Sequence, residues 1–297
     1  MPSYEPPSPQ ARQWILDCVD PSADVVQVER LLGGLTASMD RIVLRRRDGT
    51  DRRVVLRRWA PSDRHAQLVT GEAQALAAVA GHGIGAPVLL ATDPDGAQAG
   101  APSLLMTEVP GEVLLTPPDL DDWLSQLAER QASIHALPPT IDTPSCGWFS
   151  ADRDFGWVED AGLRRDAVAA ASASTDTTQP ALVHGDYQHF NVLWTGTELS
   201  GVVDWTMTGT GPIGVDVGHC RLNLAVLFSA QAAGDYLKRY EAAAGIAVDP
   251  GSDLRALLMW SHEWEQFIPI QVAGRRQVDP SGMRDRVVET IRQSLTR

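Results

Sequence analysis

The sequence predicts an α+β fold in two lobes: a five-stranded antiparallel sheet carrying one helix, then a mainly helical second half. Three observations lead there. Short runs rich in Val, Leu and Ile, separated by Gly, Pro and Asp turns, crowd residues 25–107. From residue 119 onward, apolar side chains recur instead at helical spacing. Within that second half, residues 181–204 return to short strands with polar residues on the turns between them.

The chain of 297 residues, 43% hydrophobic and 21% charged, is long enough to bury a substantial core. No run approaches the length of a membrane span, and the first residues carry neither a basic nor an apolar leader stretch. A cytoplasmic protein with no membrane partner is therefore expected. Cys18, Cys146 and Cys220 are odd in number and widely spaced, which argues against a disulfide framework or a cysteine zinc site. Residues 1–110 hold 11 basic and 13 acidic side chains, and the remainder holds 14 and 25, so almost all of the net charge of −13 falls in the second half. Such a surface suits a cationic small molecule and not nucleic acid, although acidity also simply aids solubility.

Taken in order, residues 1–22 are Pro- and Ser-rich around a short amphipathic helix. Strands follow at 25–32, 41–47 and 53–59, the last two joined by the hairpin signal Asp48-Gly49-Thr50-Asp51. Residues 66–80 read as a helix stopped by Gly81 and Gly83, and residues 87–91 and 103–107 complete the sheet. In the second half, residues 119–137 form an amphipathic helix with Leu120, Trp123, Leu124, Leu127, Ile134 and Leu137 on its core stripe, ended by Pro138 and Pro139. His135 is assigned to packing. An acidic piece at 152–160, an alanine-rich helix and a Ser/Thr loop at 172–178 lead to strands at 181–183, 192–194 and 202–203. A glycine-rich turn at 209–214 opens a helix near residue 215, and further helices are expected at 222–229, 231–244, 253–267 and 283–295.

The chemistry concentrates in His184-Gly185-Asp186-Tyr187-Gln188-His189-Phe190-Asn191, followed 13 positions later by Asp204. A carboxylate, an amide and a second carboxylate on adjacent strand ends suit phosphoryl transfer. The first takes the proton of an attacking hydroxyl, and the other two hold Mg²⁺ against the phosphates of a nucleotide. Asp and Asn are also ordinary turn residues, so the spacing decides. Protein kinases carry H-R-D-x-x-x-x-N followed by D-F-G. This segment resembles the aminoglycoside phosphotransferase and choline-kinase-like family, with Gly185 after the histidine and Asp204-Trp205 in place of D-F-G.

The resemblance covers roughly residues 25–270 and implies a protein-kinase-like fold. Residues 1–108 would form the nucleotide lobe with 1–22 as a helical extension, 109–112 the hinge, and 113–297 the catalytic and substrate lobe. It implies Asp186 as the catalytic residue and Asn191 and Asp204 as metal ligands. The loop at 33–38, with Gly34, Thr36 and Ser38, would fold over the phosphates, though as a hairpin turn it needs no function. Val54-Val55-Leu56-Arg57 matches the kinase V-A-I-K with Arg in place of Lys; Lys238 is the only lysine in the chain, so none can fill that role. Val55, on the face of Arg57, would line the adenine pocket, and Arg58 would point the other way. Arg57 also reads as an exposed edge-strand charge. Glu72, near the expected helix start, would pair with Arg57 or favour the helix dipole. Met106 would be the gatekeeper, with the Thr107 carbonyl and Val109 N–H meeting adenine. His184 and Asp216 would support the catalytic loop, Asp216 as a brace or as a helix cap. Asp160, Glu263 and Glu265 are candidate substrate contacts, while amphipathicity alone would put Trp260, Trp264 and Phe267 in the core.

The reaction so implied is ATP-dependent (GTP being the alternative) and Mg²⁺-dependent phosphorylation of a hydroxyl. The acceptor would be an aminoglycoside or other cationic antibiotic, hence an antibiotic-resistance role. A macrolide, choline, a sugar or an amino alcohol fits the motif equally. Two other classes stand beside it: a nucleotide-binding module without turnover, and a metallohydrolase on His184, Asp186 and His189. The latter is disfavoured by the two residues between Asp186 and His189 and by the lack of a further His near Asp204.

Overall fold

A computed structural model describes residues 4–31, 37–143, 149–174 and 180–297. The chain divides into two compact units, ending and beginning at Val109 and Pro110.

The first unit is an antiparallel sheet in the order β1-β2-β3-β5-β4, from β1 (Asp24–Leu31), β2 (Ser38–Arg45), β3 (Asp51–Arg58), β4 (Leu89–Asp93) and β5 (Ser103–Thr107), with helices α1 (Pro9–Val19) and α2 (Asp63–Val79). Alternation along the strands gives each face its own layer. Val54 and Leu56 join Ile42, Leu44 and Leu105 in a core closed by Trp14 and Ile15 of α1. Val55 and Arg57, on the opposite face, are also buried, and Glu72 of α2 meets Arg57 there. The two-sided burial explains why β3 reads as Val-Val-Leu without clean alternation.

Three boundaries differ from expectation. β2 starts at Ser38 and stops at Arg45, because Asp48 accepts from the backbone N–H and hydroxyl of Thr50 and Gly49 takes φ +83°, fixing the hairpin turn early. β4 lies two residues later than expected, ending at the buried Asp93, whose carboxylate accepts from the Gln98 and Ala99 amides. α2 begins at Asp63 behind the Ser62 cap, so Glu72 sits in mid-helix and the helix-dipole reading of that residue falls.

The second unit is built round α5 (Ile213–Leu227), buried almost throughout, its Asp216, Arg221 and Asn223 included. Around it pack α6 (Ala230–Ala244), α7 (Pro250–Leu257) and α9 (Met283–Leu295), while α3 (Leu120–His135) packs on α6 and α4 (Ala161–Ala173) on α7. Two small antiparallel pairs flank residues 184–191 and Asp204: β6 (Ala181–Val183) with β9 (Gly209–Gly211), and β7 (Val192–Thr195) with β8 (Glu198–Val202). Glu112 exchanges two backbone hydrogen bonds with Trp194 of β7.

Here several expectations are corrected. Leu120, the first residue of α3, is 38% exposed and off the core stripe that starts at Trp123. The glycine-rich turn contains strand β9, since Gly209 and Gly211 present their backbones to β6. The helix expected at 222–229 is the second half of α5. The helix expected at 253–267 is two, α7 and α8 (Glu263–Val272), parted where Trp260 turns inward to pack its ring 4.8 Å from that of Trp157. Trp264 and Phe267, expected in the core, are only half-buried. Ser172, expected in a loop, lies in the last turn of α4 and Ser174 is its C-cap, whereas residues 175–178 of the expected loop, and Cys146, lie outside the described residues. Among the described residues no helix is long and apolar enough to cross a membrane.

Candidate active site

The motif at 184–191 begins where β6 ends. The His184 and Gly185 amides both donate to the Asp216 carboxylate, at 3.2 and 2.9 Å. Gly185 takes φ +81°, and a Cβ there would collide with the Met207 carbonyl, so only glycine fits. His184 is fixed through both ring nitrogens: Nε2 donates to the Val203 carbonyl (3.1 Å), and Nδ1 accepts the Asp186 amide (3.3 Å). Its ring packs 4.6 Å from Trp205. His184 thus ties the turn before Asp186 to the strand end before Asp204.

Asp216 anchors this arrangement from α5. Its N-cap neighbour is Pro212, which makes no capping bond, so Asp216 is a brace and not a cap. Gln131 and His135 of α3 also donate to it, at 3.1 and 3.0 Å. Burial would raise its pKa, but the hydrogen bond and charge of His135, with the charges of His184 and His219, overcome this and pull it down to about 2. His135, assigned to packing, therefore does polar work as well, linking Asp216 to the Tyr240 hydroxyl at 2.6 Å.

Asp186, 31% exposed, receives three side-chain donors. Gln188 Nε2 and His219 Nε2 both reach Oδ1 at 2.8 Å, and Asn191 Nδ2 reaches Oδ2 at 2.8 Å. Asn191 closes a 3₁₀ turn (His189–Asn191), and its Nδ2 also donates to the Asp186 carbonyl. With Nδ2 committed to Asp186, the Oδ1 of Asn191 is the oxygen left to meet a ligand. The Val203 amide donates to the Asn191 carbonyl at 2.9 Å and Val192 pairs with Val202, which brings Asp204 to the strand end beside Asn191. Asp204 holds a left-handed backbone (φ 64°, ψ 64°), an uncommon state for a residue other than glycine that often marks functional sites. Its Oδ1 accepts the Thr206 hydroxyl at 2.6 Å.

An amide oxygen and a carboxylate are hard ligands of the kind Mg²⁺ takes when nucleotide phosphates and water complete its shell. Among the described residues there is no cluster of three or more His, Cys, Asp or Glu placed to hold an ion alone. The donors present fit a cation brought with a nucleotide.

His189 and His219 received no role in the leading reading. His189 is fully buried beside Trp123, Phe190 and Phe228, and among the described residues neither ring nitrogen has a hydrogen-bond partner. Burial, with the charges of Arg276 and His219, pushes its pKa down to about 3. Burial also pulls the His219 pKa down, but the hydrogen bond and charge of Asp186 and the charge of Asp216 outweigh it and raise it. His219 lies one helical turn after Asp216 and so on the same face, but no local pattern pairs it with Asp186, 33 positions away.

In the first unit, Arg57 is only 2% exposed and is not an edge charge. Its NH1 bridges both Glu72 oxygens at 2.9 and 3.2 Å, and its guanidinium stacks 4.8 Å from the Trp59 ring. Val55 pairs with Met106, and Arg57 with Leu104, so all four share one face. Arg58 lies on the other face, bound to Asp40 at 2.8 Å. Ser38 pairs with Arg58 and so faces away from Arg57; it opens β2 instead of lying in the loop. Gly34 and Thr36 lie outside the described residues. Thr107 donates its amide to the Val88 carbonyl, and Val109 is half-buried.

Asp160 caps α4 through the Gly162 and Leu163 amides, which hold its pKa down. Glu263 is exposed at the start of α8, and Glu265 pairs with His262 at 3.2 Å. None of the three bonds to Asp186.

A family model for the phosphotransferase enzyme family matches residues 38–258. The chain belongs to this family. It is a small-molecule phosphotransferase, a kinase whose acceptor is an alcohol group. Solved structures share the protein-kinase-like fold at low identity. A Ralstonia eutropha JMP134 protein, provisionally an aminoglycoside phosphotransferase, aligns with TM-score 0.64 at 17% identity over 97% of each chain. A thermostable variant of the aminoglycoside phosphotransferase APH(4)-Ia, in a ternary complex with ADP and hygromycin B, aligns with TM-score 0.60 at 15% identity over 94% of this phosphotransferase and 98% of that one. Macrolide 2'-phosphotransferase MphH from Brachybacterium faecium aligns with TM-score 0.58 at 17% identity, over 95% and 98%. A search of curated protein sequences returned no match.

Proposed function

We propose that this phosphotransferase moves the γ-phosphoryl group of ATP to a hydroxyl of a cationic small molecule, with Asp186 as the base. The observation that carries this is the Asn191 side chain bonded to Asp186 Oδ2 at 2.8 Å, beside the strand end that bears Asp204. Asp186 accepts a hydrogen bond from the acceptor hydroxyl and aims its oxygen at the γ-phosphorus. As that O–P bond forms and the bond to the β,γ-bridging oxygen breaks, the hydroxyl proton passes to Asp186. Asn191 Oδ1 and the Asp204 carboxylate would hold Mg²⁺, which when bound would offset the charge on the phosphate oxygens. Arg57, held by Glu72, contributes its guanidinium to the phosphates; the fork suits phosphate oxygens, so arginine can replace the usual lysine. Val55, Met106, Thr107 and Val109 line the adenine side. Residues 1–108 act as the nucleotide lobe, 109–112 as hinge and 113–297 as catalytic lobe. Such a reaction draws on cytoplasmic ATP.

The net charge of −11 over residues 111–297 favours a polycationic acceptor such as an aminoglycoside. ADP release from MgATP, with kanamycin, hygromycin B, erythromycin and choline as acceptors, tests this, with mass measurement of each product. A phosphorylated aminoglycoside is expected. Phosphorylation of erythromycin, which carries a single amine, and of neither aminoglycoside would overturn the polycationic acceptor and keep the transfer.

A further inference from the structure

The catalytic carboxylate has two oxygens, and the chain treats them unequally. Each oxygen of an ionised carboxylate offers about two acceptor positions. Among the described residues, Asp186 Oδ1 takes two donors, Gln188 Nε2 and His219 Nε2, both at 2.8 Å. Oδ2 takes one, Asn191 Nδ2. Oδ1 is therefore saturated, and Oδ2 retains an acceptor position.

We propose that His219 is a positioning residue that, with Gln188, occupies Oδ1 and so presents Oδ2 of Asp186 to the acceptor hydroxyl. This rests on the phosphotransfer reading above. Gln188 is two residues from Asp186 on the same turn and moves with it. His219 stands on α5, the buried centre of the second unit, and gives the carboxylate a reference fixed outside its own loop. Its side chain is 13% exposed, and the Asn223 amide one turn further along α5 donates to its carbonyl at 3.0 Å. Without this bond the carboxylate can turn about Cβ–Cγ and offer either oxygen. Misplacing a catalytic group by about 1 Å can cost on the order of 10² in rate.

Three substitutions separate positioning from packing. His219→Gln can place an amide N–H near the position of Nε2, His219→Asn is polar but too short to reach Asp186, and His219→Leu fills space without a donor. ADP release from MgATP is measured with kanamycin, with erythromycin and with water alone as acceptor, beside melting temperature. Leu and Asn are expected to lower kcat about tenfold or more with the KM for ATP unchanged, and Gln to recover most of the loss. A residue that only packs would be repaired by Leu and not by Gln. A second readout needs no turnover: the ¹⁵N ring signals of His219 should move in Asp186→Ala. Equal kcat in wild type, Leu and Asn, or ring signals indifferent to Asp186→Ala, overturns the proposal while leaving the phosphotransfer reading intact. A wild type that releases no ADP with kanamycin, hygromycin B, erythromycin, choline or water, yet whose ring signals respond to Asp186→Ala, overturns the proposed reaction and the positioning role with it, while leaving the hydrogen bond itself established.

Discussion

Asp186 and Asp204 are both carboxylates at strand ends, but their surroundings divide the work. Asp186 is ringed by donors that hold the carboxylate in place, whereas Asp204 sits in a left-handed backbone with its Oδ1 accepting the Thr206 hydroxyl. Asp186→Ala should reduce kcat by about 10²–10⁴ and leave MgATP affinity nearly unchanged. Asp204→Ala should weaken MgATP binding itself. Calorimetric titration of both variants with MgATP, beside ADP release, checks this; parallel losses in both would refute the separate roles. The placement of both carboxylates at strand ends was readable from residue type and spacing. What was not readable was who holds the carboxylates. Gln188 and His219 are common residues whose partners depend on three-dimensional neighbours. His135 reaches Asp216 across 81 positions of sequence, which no local pattern encodes.

At the scale of elements, the contact between α5 and α7 depends on two missing side chains. A Cβ on Gly214 would lie 2.6 Å from the Ser252 side chain, and one on Gly218 would lie 2.6 Å from the Asp253 carbonyl. Beneath this crossing Arg221 and Asp253 form a buried ion pair, completed by the Ser294 hydroxyl of α9. Gly218→Ala sets two effects against each other. Alanine gains up to about 1 kcal/mol in helix propensity, while overpacking costs about 1–3 kcal/mol. The obstacle is a backbone carbonyl and cannot turn aside, so net destabilisation is expected, read as a lower urea midpoint. An unchanged or higher midpoint would show that α7 simply shifts. The same glycines explain a misreading: Gly209–Gly214 looks like a turn, yet it supplies β9 and the first residues of α5. Element types were otherwise plain from periodicity. The break between α7 and α8 was hidden because no Gly or Pro marks it; it comes from the burial of Trp260, a tertiary demand.

For the whole molecule, two histidines set opposite slopes on stability against pH. His189 has its pKa pushed from the ordinary 6.5 down to about 3 by burial and neighbouring positive charge. Between those values the unfolded chain binds a proton that the folded chain refuses, so stability falls as pH drops below about 6.5, by about 1.4 kcal/mol per unit. His219 is shifted the other way: although burial lowers its pKa, the Asp186 contact raises it. Its contribution is fully present below 6.5 and is lost as pH rises through its folded value. Asp216, despite the upward pull of burial, is held at about 2 by its histidine partners and adds a further loss as pH falls from 3.8 towards 2. The histidine effects therefore meet near pH 6.5, where stability should peak. Urea unfolding in metal-free buffer between about pH 5 and pH 8 checks this. The stacked Trp123 and Trp194, with Trp123 beside His189, serve as the local reporter. His189→Phe keeps a ring among Trp123, Phe190 and Phe228 but removes the proton uptake, so the acid side should flatten while the alkaline side stays. An acid side as steep in His189→Phe as in wild type would place the loss on carboxylates instead.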